Sequence, residues 1–408
     1  MTEAKRSRLE TPDGAMFDGY TLPYGVFSTA REEPRVGAAV GDYVIDLAPL
    51  AAVEGLDGGH VFDRPSLNPF MSLGRPAWQA VRDWLLELVT AGSPSELLEP
   101  HLVPLSDVEL HMPFEVADYV DFYSSRSHAE NVGKIFRPDS PSLPAAWRHL
   151  PIGYHGRSAT VVPSGSEIVR PSGLRRSGDG VVFGPSNRLD IEAEVGFVVG
   201  TPSERGHPVP VDDFTEHVFG VVLVNDWSAR DLQAFEYVPL GPFLGKSFAT
   251  SISPWVVPLA ALEHARIEPP VRDPEPAAYL AEAEPWGLDI RLEVEWNGTV
   301  VSQPPFAEMY WTPAQQLAHL TVNGAAVRTG ELYASGTVSG PEKDERGSFL
   351  ELSWNGSEPV VLDNGSRRSF LEDGDTVIIR ATAPGPGGTR LKLGEVSGSV
   401  RPAGDSGR

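Results

Sequence analysis

Carboxylates recur in this sequence at the spacing that a β-strand turns into a common face. In Leu189-Asp-Ile-Glu-Ala-Glu-Val195 the acids Asp190, Glu192 and Glu194 stand at i, i+2 and i+4. On a strand they share one face, and Ile191, Ala193 and Val195 share the other. The same spacing suits a strand with one side in water. Phe197, Val198 and Val199 continue the apolar side, as in a strand deep in a sheet, where adjacent carboxylates repel unless a cation lies between them. Asp226 ends the apolar run Phe219–Val224, and Asp121 opens Asp121-Phe-Tyr-Ser-Ser-Arg-Ser-His128. A carboxylate at a strand mouth either faces a pocket or caps a turn. Acids from these segments would make an oxygen site for a hard cation such as Ca²⁺ or Mg²⁺, although spacing alone does not bring the segments together.

His128 follows Asp121 by seven residues. As a general base it needs reach to a substrate and an orienting carboxylate; otherwise it is a satisfied polar side chain. Lys246, in Gly241-Pro-Phe-Leu-Gly-Lys-Ser-Phe248, is flanked by glycine and apolar residues. A desolvated lysine beside a metal stabilises charge. Arg230 and Gln233 offer further donors. No Gly-x-Ser-x-Gly, His-Glu-x-x-His or helix-opening Gly-x-Gly-x-x-Gly is present, which removes support for a serine hydrolase, a zincin or a dinucleotide enzyme. The cysteine count is zero, so disulfides, zinc–thiolate sites and a cysteine nucleophile are excluded. That composition fits a reducing, cytoplasmic setting.

The elements that must hold these residues are mostly short strands. With 41 Gly and 38 Pro, the chain is rich in strand punctuation. Residues 1–113 read as a small β-rich unit and residues 114–408 as a large one. Tyr24–Thr29 is strand-like, and Gly41-Asp42 reads as a hairpin turn between Val36–Val40 and Tyr43–Leu47. Arg75–Val89 is the clearest helix, with Pro76 in its first turn and Trp78, Val81, Trp84, Leu85 and Leu88 as its core stripe. Glu99–Pro113 reads as a linker. Asn297-Gly298 and Asn355-Gly356 each predict a hairpin, and Asp375–Thr382 a strand. Thr312-Pro-Ala-Gln315 is a capping box that opens a helix, in a segment ending at Gly330. Glu263–Glu284, rich in Pro, Glu and Ala, reads as a solvated excursion. Residues 1–10 carry basic residues without an apolar stretch, so no signal peptide is expected, and no run approaches the ~18 apolar residues of a membrane span. The formal charge of −23 disfavours a nucleic acid or an anionic membrane as partner.

Longer segments carry a resemblance. Asp121-Phe-Tyr-Ser-Ser-Arg-x-His128, Leu150-Pro-Ile-Gly-Tyr-His-Gly-Arg157, Asn225-Asp-Trp-Ser-Ala-Arg230 and Glu236-Tyr-Val-Pro-Leu-Gly-Pro-Phe-Leu-Gly-Lys-Ser-Phe248 are similar to the fumarylacetoacetate hydrolase family. So are Ser253-Pro-Trp-Val-Val257, Ala334-Ser-Gly-Thr-Val-Ser-Gly340 and Leu350-Glu-Leu-Ser-Trp354. The similarity runs from about residue 115 to about 400 and more faintly through the first 110. The aromatic and histidine segments resemble the fumarylacetoacetase branch specifically.

The resemblance implies a mainly β (α+β) fold, with a small SH3-like N-terminal barrel before a large β-sandwich roll, assembled as a homodimer. It implies Asp121, Glu192, Glu194 and Asp226 as ligands of Ca²⁺ or Mg²⁺, with Lys246 and Thr250 around a second cation position beside Asp226. Asp190 is not among the family's ligands. His128 corresponds to the general base and Glu351 to its orienting carboxylate, with Arg230, Gln233 and Lys246 as oxyanion stabilisers. Tyr123, Arg137, Tyr154, Gln233, Tyr237 and Thr337 correspond to substrate contacts. The implied substrate is a small 1,3-diketo acid, whose cleavage would give fumarate and acetoacetate. A related keto-acid hydrolase or decarboxylase, and a non-catalytic protein on the same fold, are the competing readings.

Overall fold

The computed structural model describes residues 15–56, 58–90 and 95–404; residues 1–10, read for a signal peptide, lie outside them. Strands dominate. The N-terminal unit contains β1 (Tyr24–Thr29), β2 (Glu32–Val40), β3 (Tyr43–Asp46), helix α1 (Arg75–Val89), β4 (Leu102–Pro104) and β5 (Val108–Leu110). The expected hairpin turn joins β2 to β3, with Gly41 at φ 57°. The helix α1 buries Trp78, Val81, Leu85 and Leu88 as its spacing predicts, with Trp84 partly buried. It also buries Arg82, whose guanidinium donates to the carbonyls of Tyr20 and Thr21.

Two features differ from expectation. Glu99–Pro113 is not a bare linker, because β4 and β5 lie within it and pair with β3 and β1. Among the described residues the N-terminal strands form an open sheet rather than a closed barrel. The edge that closure would use is taken elsewhere: β1 pairs Tyr24 with Val256 and Gly25 with Trp255.

That pairing joins the N-terminal strands to the strands of the larger unit. Its elements are β6 (Tyr119–Phe122), helix α2 (Arg126–Phe136), β7 (Gly153–His155), β8 (Ala193–Val199), β9 (Val218–Asp226), helix α3 (Arg230–Glu236), β10 (Thr250–Ile252) and β11 (Trp255–Pro258). Helix α4 (Pro313–Thr321), β12 (Leu332–Ala334) and the short helix α5 (Phe349–Leu352) complete them. The sheet runs β4-β3-β2-β1-β11-β9-β8-β12-β6-β7, with β5 and β10 on side branches. A second sheet of five strands has the order 299–302, 291–296, 376–384, 390–401, 167–169.

The apolar runs of β8 and β9 follow from cover on both faces. Val195, Phe197, Val221 and Leu223 share a core with Leu292, Val294, Val377 and Ile379 of the five-stranded sheet. Val198, Val222 and Val224 pack instead with Tyr24, Val26 and Leu85 of the N-terminal unit.

Local signals fared unevenly. The Thr312–Gln315 capping box is present, and the helix it opens stops at Thr321, well before Gly330. Asn297-Gly298 forms its hairpin with both residues at positive φ. Asn355-Gly356 does not: it ends the turn after α5, where Asn355 N–H returns to the Leu350 carbonyl. The excursion 263–284 is only partly solvated, since Leu280 is buried, Glu282 accepts from Thr312 Oγ1 at 2.6 Å and Arg272 donates to Gln315 at 2.7 Å.

Candidate metal centre and active site

Strand direction gathers the acids. The parallel pair β12–β6 sets Ala334 opposite Asp121, and Ala334 also faces Gly196 on β8. Antiparallel β8 and β9 pair Glu194 with Val224, and Asp226 N–H donates to the Glu192 carbonyl. The exits of β6 and β9 and the entry of β8 therefore meet at one end of the sheet. The continuous strand expected over Leu189–Val199 is broken at Ile191 and Glu192, between the short strand Leu189–Asp190 and β8. The break takes Asp190 away from the other two acids. Ligand oxygens of Asp121, Glu192, Glu194 and Asp226 lie within 4.8 Å of one another, and all four residues are buried.

The four carboxylates are not equally satisfied. Glu192 Oε1 receives Arg230 Nη1 at 2.7 Å and its Oε2 receives Lys246 Nζ at 2.6 Å. Burial pushes the Glu192 pKa up, but Lys246 and Arg230 outweigh it and hold the carboxyl well below the usual range. Asp226 accepts from Lys246 Nζ at 2.9 Å and from Thr250 Oγ1 at 3.0 Å. The single Tyr154 hydroxyl proton is shared between Asp121 Oδ2 at 3.0 Å and Asp226 Oδ2 at 3.1 Å. By contrast Asp121 Oδ1 and both Glu194 oxygens are buried without a protein partner. Burial, then Asp226, raises Asp121 well above a normal carboxyl, and burial, then Asp121, does the same for Glu194. Buried acceptors left unmet in this way need an occupant. An all-oxygen donor set with this excess of negative charge fits a hard divalent cation. Lys246 contributes charge rather than ligation, because ammonium has no lone pair. Burial lowers its pKa, but Asp226 and Glu192 more than reverse that and keep it cationic.

A cavity of about 430 Å³ opens beside the cluster. Its wall includes Asp121, Glu192, His128, Arg230, Gln233 and Lys246, and the side chains expected to touch substrate: Tyr123, Arg137, Tyr154, Tyr237 and Thr337. Thr250, Asp226 and Lys246 line a second space of about 120 Å³, which Tyr154 also borders. Two backbone approaches shape the pocket. Gly336, at φ 77°, precedes Thr337, and a Cβ there would stand 2.1 Å from the Phe122 carbonyl. A Cβ on Gly245 would meet the Gln233 backbone at 2.7 Å, so the Lys246 loop can lie against α3 only with glycine there. Arg230 Nη1 also donates to Gln233 Oε1 at 3.2 Å. Arg230 Nη2 and Thr337 Oγ1 are buried without partners.

His128 sits in the first turn of α2, which Ser125 caps by accepting from the His128 N–H. Its Nδ1 lies 2.6 Å from Glu351 Oε2, and its Nε2 lies 4.0 Å from Glu192 Oε1. Burial raises Glu351, but His128 and then the Asn131 and Ser348 hydrogen bonds bring it below its ordinary value. An ionised Glu351 selects the tautomer with the proton on Nδ1 and leaves Nε2 free as an acceptor. Asn131 Nδ2, Ser339 Oγ and Ser348 Oγ also donate to Glu351, at 3.0, 3.0 and 2.8 Å. These three supports were not singled out from sequence, although Asn131 stands three residues after His128 and Ser348 three before Glu351, both turn-of-helix spacings.

Residues 118–400 match the family profile described as fumarylacetoacetate hydrolase C-terminal, and residues 20–113 match fumarylacetoacetase N-terminal. The chain belongs to the fumarylacetoacetate hydrolase family. A human fumarylacetoacetase is 46% identical over 418 residues, covering 97% of this chain and 99% of the relative. A rice fumarylacetoacetase is 44% identical over 422 residues, covering 98% and 97%. Among solved structures, a fumarylacetoacetate hydrolase from Exiguobacterium antarcticum shares the fold with a TM-score of 0.55 at 16% identity, covering 93% of this chain and 99% of that one. A maleylpyruvate hydrolase from Sphingobium gives 0.52 at 13%, covering 94% and 100%. The fold of the family is thus mainly β, with a buried acidic cluster suited to a metal ion in this chain. No helix among the described residues is long and apolar enough to cross a membrane.

Proposed function

We propose that this chain is a fumarylacetoacetase: it adds water across a carbon–carbon bond of 4-fumarylacetoacetate to give fumarate and acetoacetate, the last step of tyrosine and phenylalanine catabolism. The observation that carries the reading is the placement of a carboxylate-held histidine, His128, 4.0 Å from a member of the four-carboxylate cluster within one cavity. Full-length relatives named fumarylacetoacetase support it.

Asp121, Glu192, Glu194 and Asp226 would hold the cation, Ca²⁺ or Mg²⁺, since carboxylate sites take either. When bound, it supplies Lewis-acid polarisation of the diketone oxygens. Lys246 and Thr250 hold Asp226 in place for it. His128 Nε2 removes a proton from water, and Glu351 stabilises the imidazolium that forms. The hydroxide adds to the carbonyl on the fumaroyl side. Arg230 Nη2, a buried donor with no protein partner, and the Gln233 and Lys246 donors stabilise the tetrahedral oxyanion, where a single donor is worth ~3–4 kcal/mol. The carbon–carbon bond then breaks, and the acetoacetate carbanion takes up the proton that His128 carried. Arg137, Tyr123, Tyr154, Tyr237 and Thr337 orient the acid and its terminal carboxylate.

We also propose a boundary between two units at residues 113 and 114, a homodimer and a cytoplasmic location. Exposed apolar side chains at Leu240, Phe243, Leu174 and Phe183 support association, and the cysteine-free composition suits a reducing interior. The test is loss of diketone absorbance with purified protein and defined metals, run against acylpyruvates in parallel. Preferential turnover of fumarylacetoacetate is expected. Preference for an acylpyruvate, or binding without turnover, defeats the reading.

A further inference from the structure

Asp190 shares the i, i+2, i+4 spacing of Glu192 and Glu194 yet stands outside their cluster. Its side chain is fully buried, and both oxygens are occupied. Oδ1 accepts from the backbone N–H groups of Ile191 and Phe349, each at 2.8 Å. Oδ2 accepts from Arg230 Nε at 2.8 Å and from the Leu350 N–H at 3.0 Å. Phe349 and Leu350 open α5, and first-turn amides have no partner within their own helix. The next amide, that of Glu351, goes to Ser348 Oγ at 3.3 Å. Phe349 is further pinned by stacking on Trp296, with ring centroids 4.0 Å apart and an interplanar angle of 12°. A buried carboxylate is tolerated when it is paired and fully hydrogen-bonded, and four donors meet this one.

The consequence is geometric. Where α5 begins determines where Glu351 presents its carboxylate to His128. The same Asp190 carboxylate grips Arg230 by Nε, leaving Nη1 for Glu192 and Nη2 without a protein partner on a residue that lines the cavity. We propose that Asp190 is a positioning residue that registers Arg230 against the His128–Glu351 pair, so that oxyanion donor and base are held at one separation across the reacting carbonyl. Both its oxygens are turned to protein donors, so it takes no part in holding the cation. The inference rests on the function proposed above.

The test compares full-length wild type with Asp190→Asn in steady-state turnover of fumarylacetoacetate and in equilibrium binding of Ca²⁺. Asparagine keeps one acceptor oxygen but puts an amide where Arg230 Nε must donate. The kcat is expected to fall about 10- to 100-fold, as for other outer partners of a site, with KM and the Ca²⁺ dissociation constant each changed by less than about threefold. A second readout is a double-mutant cycle. In the Glu351→Gln background the further loss from Asp190→Asn should shrink to less than about half on a logarithmic scale, because the two act through one contact chain. A merely structural residue would add its full factor. A kcat for Asp190→Asn within about twofold of wild type overturns the proposal. So does full additivity, or a loss of Ca²⁺ affinity as large as the loss of kcat. Should Asp190→Asn not fold, Asp190→Glu is measured in the same way, and failure of both to fold assigns the residue to stability alone. Wild-type protein that does not turn over the diketo acid defeats the proposed function itself, an outcome distinct from all of these.

Discussion

The two flanks of the cavity bury acids to the same extent and satisfy them to opposite degrees. On the histidine flank, Glu351 meets His128, Asn131, Ser339 and Ser348, and its carboxyl is held below its ordinary pKa. On the acid flank, Asp121 Oδ1 and both oxygens of Glu194 meet nothing, and both carboxyls are driven up. Glu192, between them, belongs electrically with Glu351 because Arg230 and Lys246 reach it. Burial therefore does not set the charge of these groups; the donors that come with it do. The carboxylate that lies against the histidine is completed by protein donors, and the cluster carboxylates Asp121 and Glu194, which could hold a cation, are left open.

Removing the cation attacks the open flank and carries the largest expected effect. Turnover should vanish in chelator and return with added Ca²⁺ or Mg²⁺; full activity in chelator breaks the comparison. A pH dependence accompanies it. In the cation-free fold Asp121 and Glu194 keep protons that the unfolded chain releases above about pH 4. Their contribution to stability therefore falls as pH climbs from there through the raised values. The cation needs both groups ionised, so its apparent affinity should rise with pH. Calorimetric Ca²⁺ titrations at mildly acidic and mildly alkaline pH check this, and equal affinities would contradict it. Next in size is His128→Ala, which strikes the closed flank: kcat should fall by ~10²-fold or more while Ca²⁺ still binds. If kcat barely moves, the base is misassigned. Glu351→Gln should cost about 10- to 100-fold in kcat, again with Ca²⁺ affinity retained, because the imidazole loses its anionic partner but stays in place. Thr312→Ala lies outside both flanks. It removes the cap of α4 and should lower stability by about 1 kcal/mol in denaturant unfolding, with kcat unchanged.

Features set by neighbours in the chain were legible in the sequence. The capping box at Thr312 and Gln315 and the Asn297-Gly298 turn depend on a few consecutive residues. Asn355-Gly356 carries the same dipeptide and misled, because the residues before it coil into α5 and the positive φ values at Trp354, Asn355 and Gly356 serve to end that helix. The four acids of the cluster were recognisable as a set by resemblance, while the strand face picked out only Glu192 and Glu194 of them and added Asp190. Their convergence was not, since it depends on strands far apart in the chain lying side by side. Asp190 shows the limit most plainly. Its spacing places it with Glu192 and Glu194, but two of its partners, the Phe349 and Leu350 amides, are 159 and 160 residues away. No local pattern announces them.

The junction of β1 with β11 has a consequence for how the molecule comes apart. Gly25 lies so close to Trp255 that an added Cβ would stand 2.6 Å from its ring, and Tyr24 packs against Phe219 on the other side, with ring centroids 5.7 Å apart. The N-terminal strands thus act as a seal over the border of the larger sheet. Stripped of them, β11 would offer an unpaired rim and the apolar flank of Val222, Val224 and Val256 to water, a template for sticking to other copies. The larger part is therefore not a detachable module, and the chain should melt in one cooperative step because the strand that closes the border belongs to the N-terminal unit.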